Sequence, residues 1–203
     1  MRFLSSSRHV AVLAAALLVG ADAWAAETAA PPARADFQDA ETGLAFSAPP
    51  PLVVGGQRDH RGHDFVIEVD TSDSSLPRAG TSKSLCAVGV KTQPEEVQAL
   101  SQEALSSPEM VAETLESMRT TLGFMGSVVD IRPVDFGGGA RGVAAVTTPH
   151  LGPDHANVRQ FIAIAETPAY RISLSCATTA AAIDRARPLF DALVGTLRIE
   201  GSR

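Results

Sequence analysis

Histidine is the residue type that most suggests chemistry in this chain, because four of the five histidines fall in two short polar segments. The first segment holds His60 and His63, and the second holds His150 and His155. Each segment also carries aspartate, and imidazole with carboxylate is a ligand set that suits zinc or copper. If the two segments lie at the same end of the fold, the four histidines predict a shared metal site. Otherwise they are polar residues of two surface loops.

The two cysteines, Cys86 and Cys176, are a candidate disulfide pair. Each lies on the apolar face of an alternating, strand-like run, at 85–90 and 170–176. In an oxidising compartment they predict one disulfide between the two halves of the sheet, stabilising by about 4–5 kcal/mol through loop entropy. The alternative is two buried thiols too far apart to bridge. A catalytic redox pair is not indicated, because such cysteines lie close together in an electropositive setting.

The remaining motifs do not indicate an enzyme. Ser173 and Ser175 have no histidine nearby in sequence and no Gly-x-Ser-x-Gly elbow around them. The glycine-rich stretch 137–142 leads into another strand rather than a helix, so it predicts a hairpin turn instead of a phosphate loop. We therefore expect no catalytic residues, and no cofactor apart from zinc or copper at the histidines.

The elements that would position these residues are clearest between 127 and 178. Four strand-like runs separated by turns predict an antiparallel meander. The run 158–165 is apolar on both faces at its centre, which is typical of an inner strand. Pro133 predicts an edge strand or a bulge for 128–136, because proline cannot donate to a strand ladder. Shorter alternating runs before residue 91 add further strands to the same sheet.

Helices are predicted on both sides of the meander. A capping box at Thr92–Glu95 predicts a helix through residue 105, and Ser107 with Pro108 predicts a second helix ending near Gly123. A last helix is predicted at 179–194, kinked or split by Pro188. The fold class is therefore α+β: an antiparallel sheet of about seven to eight strands, sandwiched by a long N-proximal helical region and a C-terminal helix.

Residues 1–25 are typical of a secretory signal peptide. Arg2 and Arg8 precede an apolar run at 10–20, which is too short to span a bilayer, and Ala23-Trp24-Ala25 is a small-x-small cleavage pattern. Cleavage near Ala25/Ala26 would leave a disordered lead-in at 26–35 and one domain at 36–203, without a transmembrane anchor. The net charge of the whole chain is −6 without any basic run, which argues against nucleic acid and against anionic membranes.

The order of these elements resembles that of the PsbP-like fold, which the photosystem II extrinsic subunit P shares with DcrB-like bacterial envelope proteins. The resemblance rests on the strand start TGLAFSAP at 42–49, on the strand–helix–meander order, and on the closing LVGTLRI at 193–199. It covers about residues 36–200. It implies an α/β/α sandwich and a binding, assembly or chaperone-like role without enzyme activity. Leu52 stands where the family usually has tryptophan.

Three functions follow as expectations. The first is a non-enzymatic accessory protein, periplasmic or secreted, that binds a protein or a small molecule in the cell envelope. The second is a periplasmic metal-binding protein that uses the two histidine segments. The third is an immunity protein or a secretion-associated chaperone.

Overall fold

A computed structural model describes residues 35–200. The predicted signal peptide 1–25 and all but the last residue of the predicted lead-in 26–35 lie outside the described residues. Within 35–200 the strands are β1 Asp36–Gln38, β2 Leu44–Ser47, β3 Leu52–Arg58, β4 Phe65–Thr71, β5 Cys86–Thr92, β6 Gly126–Asp135, β7 Arg141–Pro149, β8 Val158–Glu166, β9 Tyr170–Thr179 and β10 Arg198–Ile199. The α-helices are α1 Glu95–Gln98, α2 Gln102–Leu105, α3 Pro108–Met125 and α4 Ile183–Val194.

Seven of the strands form one sheet in the order β3-β4-β5-β9-β8-β7-β6, and every pair of adjacent strands in it is antiparallel. The α+β prediction is confirmed, with β1, β2 and β10 forming a second, smaller sheet. The predicted meander is β6 to β9. Pro133 lies on the edge strand β6, which also contains a register shift between Val128 and Asp130, as the missing N–H of proline led us to expect.

One face of the large sheet carries the main core, because the alternating apolar residues of β5, β8 and β9 all point to it. Val88, Phe161 and Leu174 are each no more than 1% exposed there. Helix α4 packs on β8 and β9, and its Phe190 contacts Phe161 with ring centroids 5.5 Å apart. Leu44, Phe46 and Leu197, from the small sheet and its connection, belong to the same buried cluster.

Helix α3 covers part of the opposite face. It packs on β6 and β7, where Val111, Met118 and Leu122 meet Val143 and Ala145. On the same face, further along the sheet, Lys91 of β5 and the side chains of Arg171 and Ser175 of β9 are exposed. We call this part of the sheet, formed by β4, β5 and β9, the open face.

Two local predictions were wrong, and one alternative of a third is excluded. Thr92 does not cap a helix: it ends β5, and its backbone N–H and hydroxyl both donate to the carboxylate of Asp64, while Pro94 is the residue that precedes α1. Helix α3 continues past Gly123 to Met125. Helix α4 is not split at Pro188: it stays continuous, because proline removes only one backbone hydrogen bond from it. None of the helices within 35–200 is both long enough and apolar enough to cross a bilayer.

Candidate functional site

His63 and Ser173 form a hydrogen-bonded pair on the open face. The Nε2 atom of His63, in the loop between β3 and β4, lies 2.9 Å from Oγ of Ser173 on β9, although the two residues are 110 positions apart in the chain. Ser173 has no histidine nearby in sequence, as noted above, but the fold supplies one from a distant loop. Sequence proximity was a poor guide, because β4, β5 and β9 are neighbours in the sheet but distant along the chain.

Gly89 of β5 makes the room in which this pair sits. A Cβ atom on Gly89 would lie 2.3 Å from Cδ2 of His63 and 2.8 Å from Oγ of Ser173. Gly89 is not among the glycines with positive φ, so no turn requires a glycine there. An isolated glycine inside a strand often marks the close approach of another group, and this was the one sequence signal that could have revealed the site.

The surroundings of His63 favour the neutral form of its imidazole, because they lower its pKa. Burial is the main cause that lowers its pKa, and the neighbouring His60 lowers it further, while Asp64 acts in the opposite direction. Its Nδ1 atom lies 3.3 Å from Nδ1 of His60. Since a neutral imidazole has one donor and one acceptor nitrogen, His63 can donate to one of its two neighbours, His60 and Ser173, and accept from the other.

The nearest carboxylate in sequence, that of Asp64, is engaged elsewhere. It accepts hydrogen bonds from Lys91 Nζ at 2.8 Å, from the backbone N–H of Thr92 at 2.7 Å and from the Thr92 hydroxyl at 2.6 Å. The Lys91 and Thr92 side chains lower the pKa of Asp64 to about 2. Among the described residues, the hydrogen bonds of the His63 ring go to His60 and Ser173, so no carboxylate orients it.

A cavity of about 300 Å³ opens beside this pair. Its floor is built from the small residues Ala87, Gly89 and Ser175, and its rim carries the cationic side chains of Arg58 and Lys83. Among the described residues that line it there is no aspartate or glutamate. The cavity therefore combines two positive charges with imidazole and hydroxyl groups in a protein whose net charge is −6.

The structure separates the two histidine segments. His60 and His63 lie at the end of the sheet where β9 starts, because Phe65 pairs with Val90 and Thr92 pairs with Tyr170. The loop that holds the other two histidines precedes Val158, which pairs with Thr179 at the other end of β9. Ser173, which His63 contacts, is six residues of strand from Thr179, a separation of about 20 Å along β9.

The four histidines therefore do not share a site, since antiparallel strand order sends their loops to opposite ends. His150 Nε2 lies 3.1 Å from Ser127 Oγ, and the buried Nδ1 of His155 has no hydrogen-bond partner within 35–200. No group of three or more histidine, cysteine, aspartate or glutamate residues in the described part of the chain is arranged to hold a metal ion.

Cys86 and Cys176 lie directly opposite each other on β5 and β9 and face the core. Their sulfur atoms are 2.07 Å apart, the distance of a disulfide bond. The disulfide joins β3-β4-β5 to the meander at the one place where those two parts of the large sheet are paired. It lies beneath the open face, on the opposite side of the same strands.

Comparison with known proteins gives a fold but no family. No family model matches the chain, and no curated protein matches it either. The solution structure of cyanobacterial PsbP (CyanoP) from Synechocystis is similar, with a TM-score of 0.52 and 12% identity over 85% of this chain and 95% of that one. A Pseudomonas aeruginosa protein of unknown function gives a TM-score of 0.39 with 15% identity, over 80% of this chain and 94% of that one, and supports no conclusion.

The likeness to CyanoP at this identity concerns the fold alone and leaves the DcrB-like subgroup a prediction. The chain has a PsbP-like fold.

Proposed function

We propose that this protein is an exported, non-enzymatic binding protein that holds a small polar ligand on the open face of its sheet. The observation that carries the proposal is the cavity beside His63 and Ser173, whose floor is kept clear by small side chains on two adjacent central strands. Ligand sites are concave and carry a few convergent polar groups. The imidazole of His63, the serine hydroxyls and the two cations are such groups.

A binding role is favoured over catalysis because the His63–Ser173 pair is incomplete. A serine nucleophile needs a base that is itself held by a third group, usually a carboxylate. Here Nδ1 of His63 faces another imidazole, and the Asp64 carboxylate is bound by Lys91 and Thr92. The pair is thus suited to contacting a ligand rather than to attacking one.

Export is supported by the sequence before residue 26 and by the disulfide. Arg2, Arg8 and the apolar run 10–20 match a secretory signal peptide. A disulfide between two core cysteines persists in the periplasm or outside the cell and is rare in the cytosol. An accessory role in assembling a partner protein is compatible with the same fold.

The test is to purify the mature protein natively from the periplasm and identify the small molecules released on denaturation. Ser175→Tyr would fill the cavity from an exposed position on β9. Val129→Tyr, on the edge strand β6 where Val129 is 61% exposed, is the matched control. We expect a molecule that co-purifies with wild type and Val129→Tyr but not with Ser175→Tyr. Equal content in all three proteins, or no bound molecule at all, would contradict the proposal.

A second candidate function is metal binding by His60 and His63 alone. The observation that favours it is the 3.3 Å between their Nδ1 atoms. Two nitrogens on one tetrahedral zinc ion, each about 2.0–2.1 Å from the metal, lie about 3.3 Å apart. In that arrangement Nδ1 of His63 would bind the metal, and the hydrogen bond between Nε2 and Ser173 Oγ would fix the orientation of the ring.

Metal uptake separates this candidate from a purely polar ligand site. Zinc and copper(II) binding is measured on the mature protein, on His60→Ala with His63→Ala, and on His150→Ala with His155→Ala. The first double variant should lose uptake and the second should keep it. Identical uptake by wild type and both double variants would end this candidate.

A further inference from the structure

We infer that the cavity beside His63 recognises an oxyanion group, a carboxylate or a phosphate, on its ligand. This inference rests on the proposed binding function and names the chemical class of what is bound. It is carried by the charges, the hydrogen-bond donors and the volume of the cavity.

The charges that line the cavity have one sign. Arg58 and Lys83 are its ionised side chains, and among the described lining residues there is no carboxylate. The chain as a whole is acidic, with 23 aspartates and glutamates against 17 lysines and arginines. Glu68 lies 2.8 Å from Arg58 and offsets its charge, so the net positive charge at the cavity comes from Lys83. An unpaired cation in an acidic protein attracts a small anion and disfavours an extended polyanion.

Both cations retain donors for a ligand. Nε of Arg58 donates to Glu68 at 2.8 Å, and this ion pair fixes the guanidinium. Lys83 has no ion pair among the described residues, and its side chain is exposed at the rim. A guanidinium anchored through Nε presents its terminal N–H groups as a fork, which is the geometry that carboxylates and phosphates accept.

Neutral donors line the same cavity as the cations. Ser175 is exposed on β9, and its hydroxyl has no hydrogen-bond partner among residues 35–200. Ser82 adds a second hydroxyl from the loop before β5. The ring of His63 borders the same space. An oxyanion can accept from hydroxyl groups as well as from cations, and the cavity offers both kinds of donor.

The volume sets the size of the ligand. About 300 Å³ is at the lower end of the range for small-molecule sites, so it accommodates a small metabolite and not a polymer segment. The His63 ring covers Gly89, and we expect the ligand's charged group to lie against the cationic side chains that line the cavity.

The test is calorimetric titration of the mature protein with inorganic phosphate and with acetate, at low ionic strength where screening is weak. Lys83→Gln removes one rim charge, and Arg119→Gln on α3 makes the same charge change outside the cavity. At least one of the two anions should bind saturably, with an affinity lowered about tenfold by Lys83→Gln and unchanged by Arg119→Gln.

Two results would overturn the inference: no saturable binding of either anion, or equal weakening by both variants. A neutral molecule that co-purifies with wild type and is lost in Ser175→Tyr would overturn the oxyanion assignment while leaving the binding function in place. If no molecule co-purifies and neither anion binds in the titration, the binding function and the oxyanion assignment are both refuted. Thermal unfolding of Lys83→Gln, an exposed position, checks that the variant is folded.

Discussion

Gly89 lies directly beneath the imidazole of His63, so close that a single added carbon atom would overlap the ring. The Cβ position of Gly89 is 2.3 Å from Cδ2 of His63 and 2.6 Å from its Nε2. The histidine reaches this place from a loop, whereas the glycine belongs to a central strand. The ring can therefore be displaced without disturbing the strand, and this gives a direct test of the site.

Gly89→Ala is expected to push the His63 ring off the sheet. Because burial is the main cause of the lowered His63 pKa, release into water should raise that pKa towards its ordinary value of 6.5. The measurement is an NMR titration of the histidine ring protons. Gly56→Ala is the control, since no atom lies within 4 Å of a Cβ placed there. A His63 pKa that stays low in Gly89→Ala would contradict the geometry.

The disulfide should be fully formed and strongly stabilising. Unreduced mature protein is expected to show no free thiol by alkylation and mass spectrometry. Cys86→Ala with Cys176→Ala should lower the free energy of unfolding by about 2–5 kcal/mol, because the bond closes a loop with a sequence separation of 90. Reductant should destabilise wild type in denaturant unfolding and leave the double variant unchanged; modification of both cysteines without reductant would count against the bond.

Asp64 should make stability depend on pH in the acid range. Its pKa is about 2 in the folded protein against an ordinary value of 3.8, mainly because Lys91 and Thr92 donate to the carboxylate. A carboxylate with a lowered folded pKa stabilises fully above about pH 4, and this stabilisation is lost as pH falls through 2. We expect Asp64→Asn to cost about 1 kcal/mol at pH 7, because the side chain is 31% exposed, and progressively less below pH 4.

The control for that experiment is Asp135→Asn. Its carboxylate is 86% exposed and lies 3.4 Å from Arg141. Denaturant unfolding at a series of pH values should show a smaller effect of this variant at pH 7. A wild-type advantage over Asp64→Asn that does not shrink on acidification would refute the assignment.

Two phenylalanines on opposite sides of the protein should respond very differently to truncation. Phe190 of α4 is fully buried against Phe161, and Phe190→Ala should cost about 3–5 kcal/mol of unfolding free energy. Phe124 near the end of α3 is 85% exposed, and Phe124→Ala should change stability by less than about 0.5 kcal/mol. Similar losses in both variants would mean that α4 does not pack on the sheet as described.

The fold could be predicted where a local pattern reports burial directly. Alternation along β9 identified its core-facing residues Ile172, Leu174 and Cys176, and the two-sided apolar centre of β8 identified an inner strand. The absence of a helix cap at Thr92 could not be predicted, because the Thr92 hydroxyl donates to Asp64, a partner 28 residues earlier that leaves no mark on the local sequence.

The site could not be predicted for a related reason. The contact of His63 with Ser173 depends on β5 lying between β4 and β9, which is a long-range pairing. The four histidines were a misleading signal, because equal chemistry in two loops says nothing about which end of a sheet each loop occupies. Of those residues, His60 and His63 lie together, and their partner was a serine that sequence reasoning had set aside.

The strand order also has a consequence for biosynthesis. As the chain emerges from its N-terminus, β5 appears some ninety residues before β9, the neighbour it needs on its inner edge. Until β9 arrives, that edge and the thiol of Cys86 stay available to solvent, to chaperones and to oxidants. Completion of the sheet and oxidation of the cysteine pair must therefore both wait for the C-terminal quarter of the polypeptide, and a truncated nascent chain can accomplish neither.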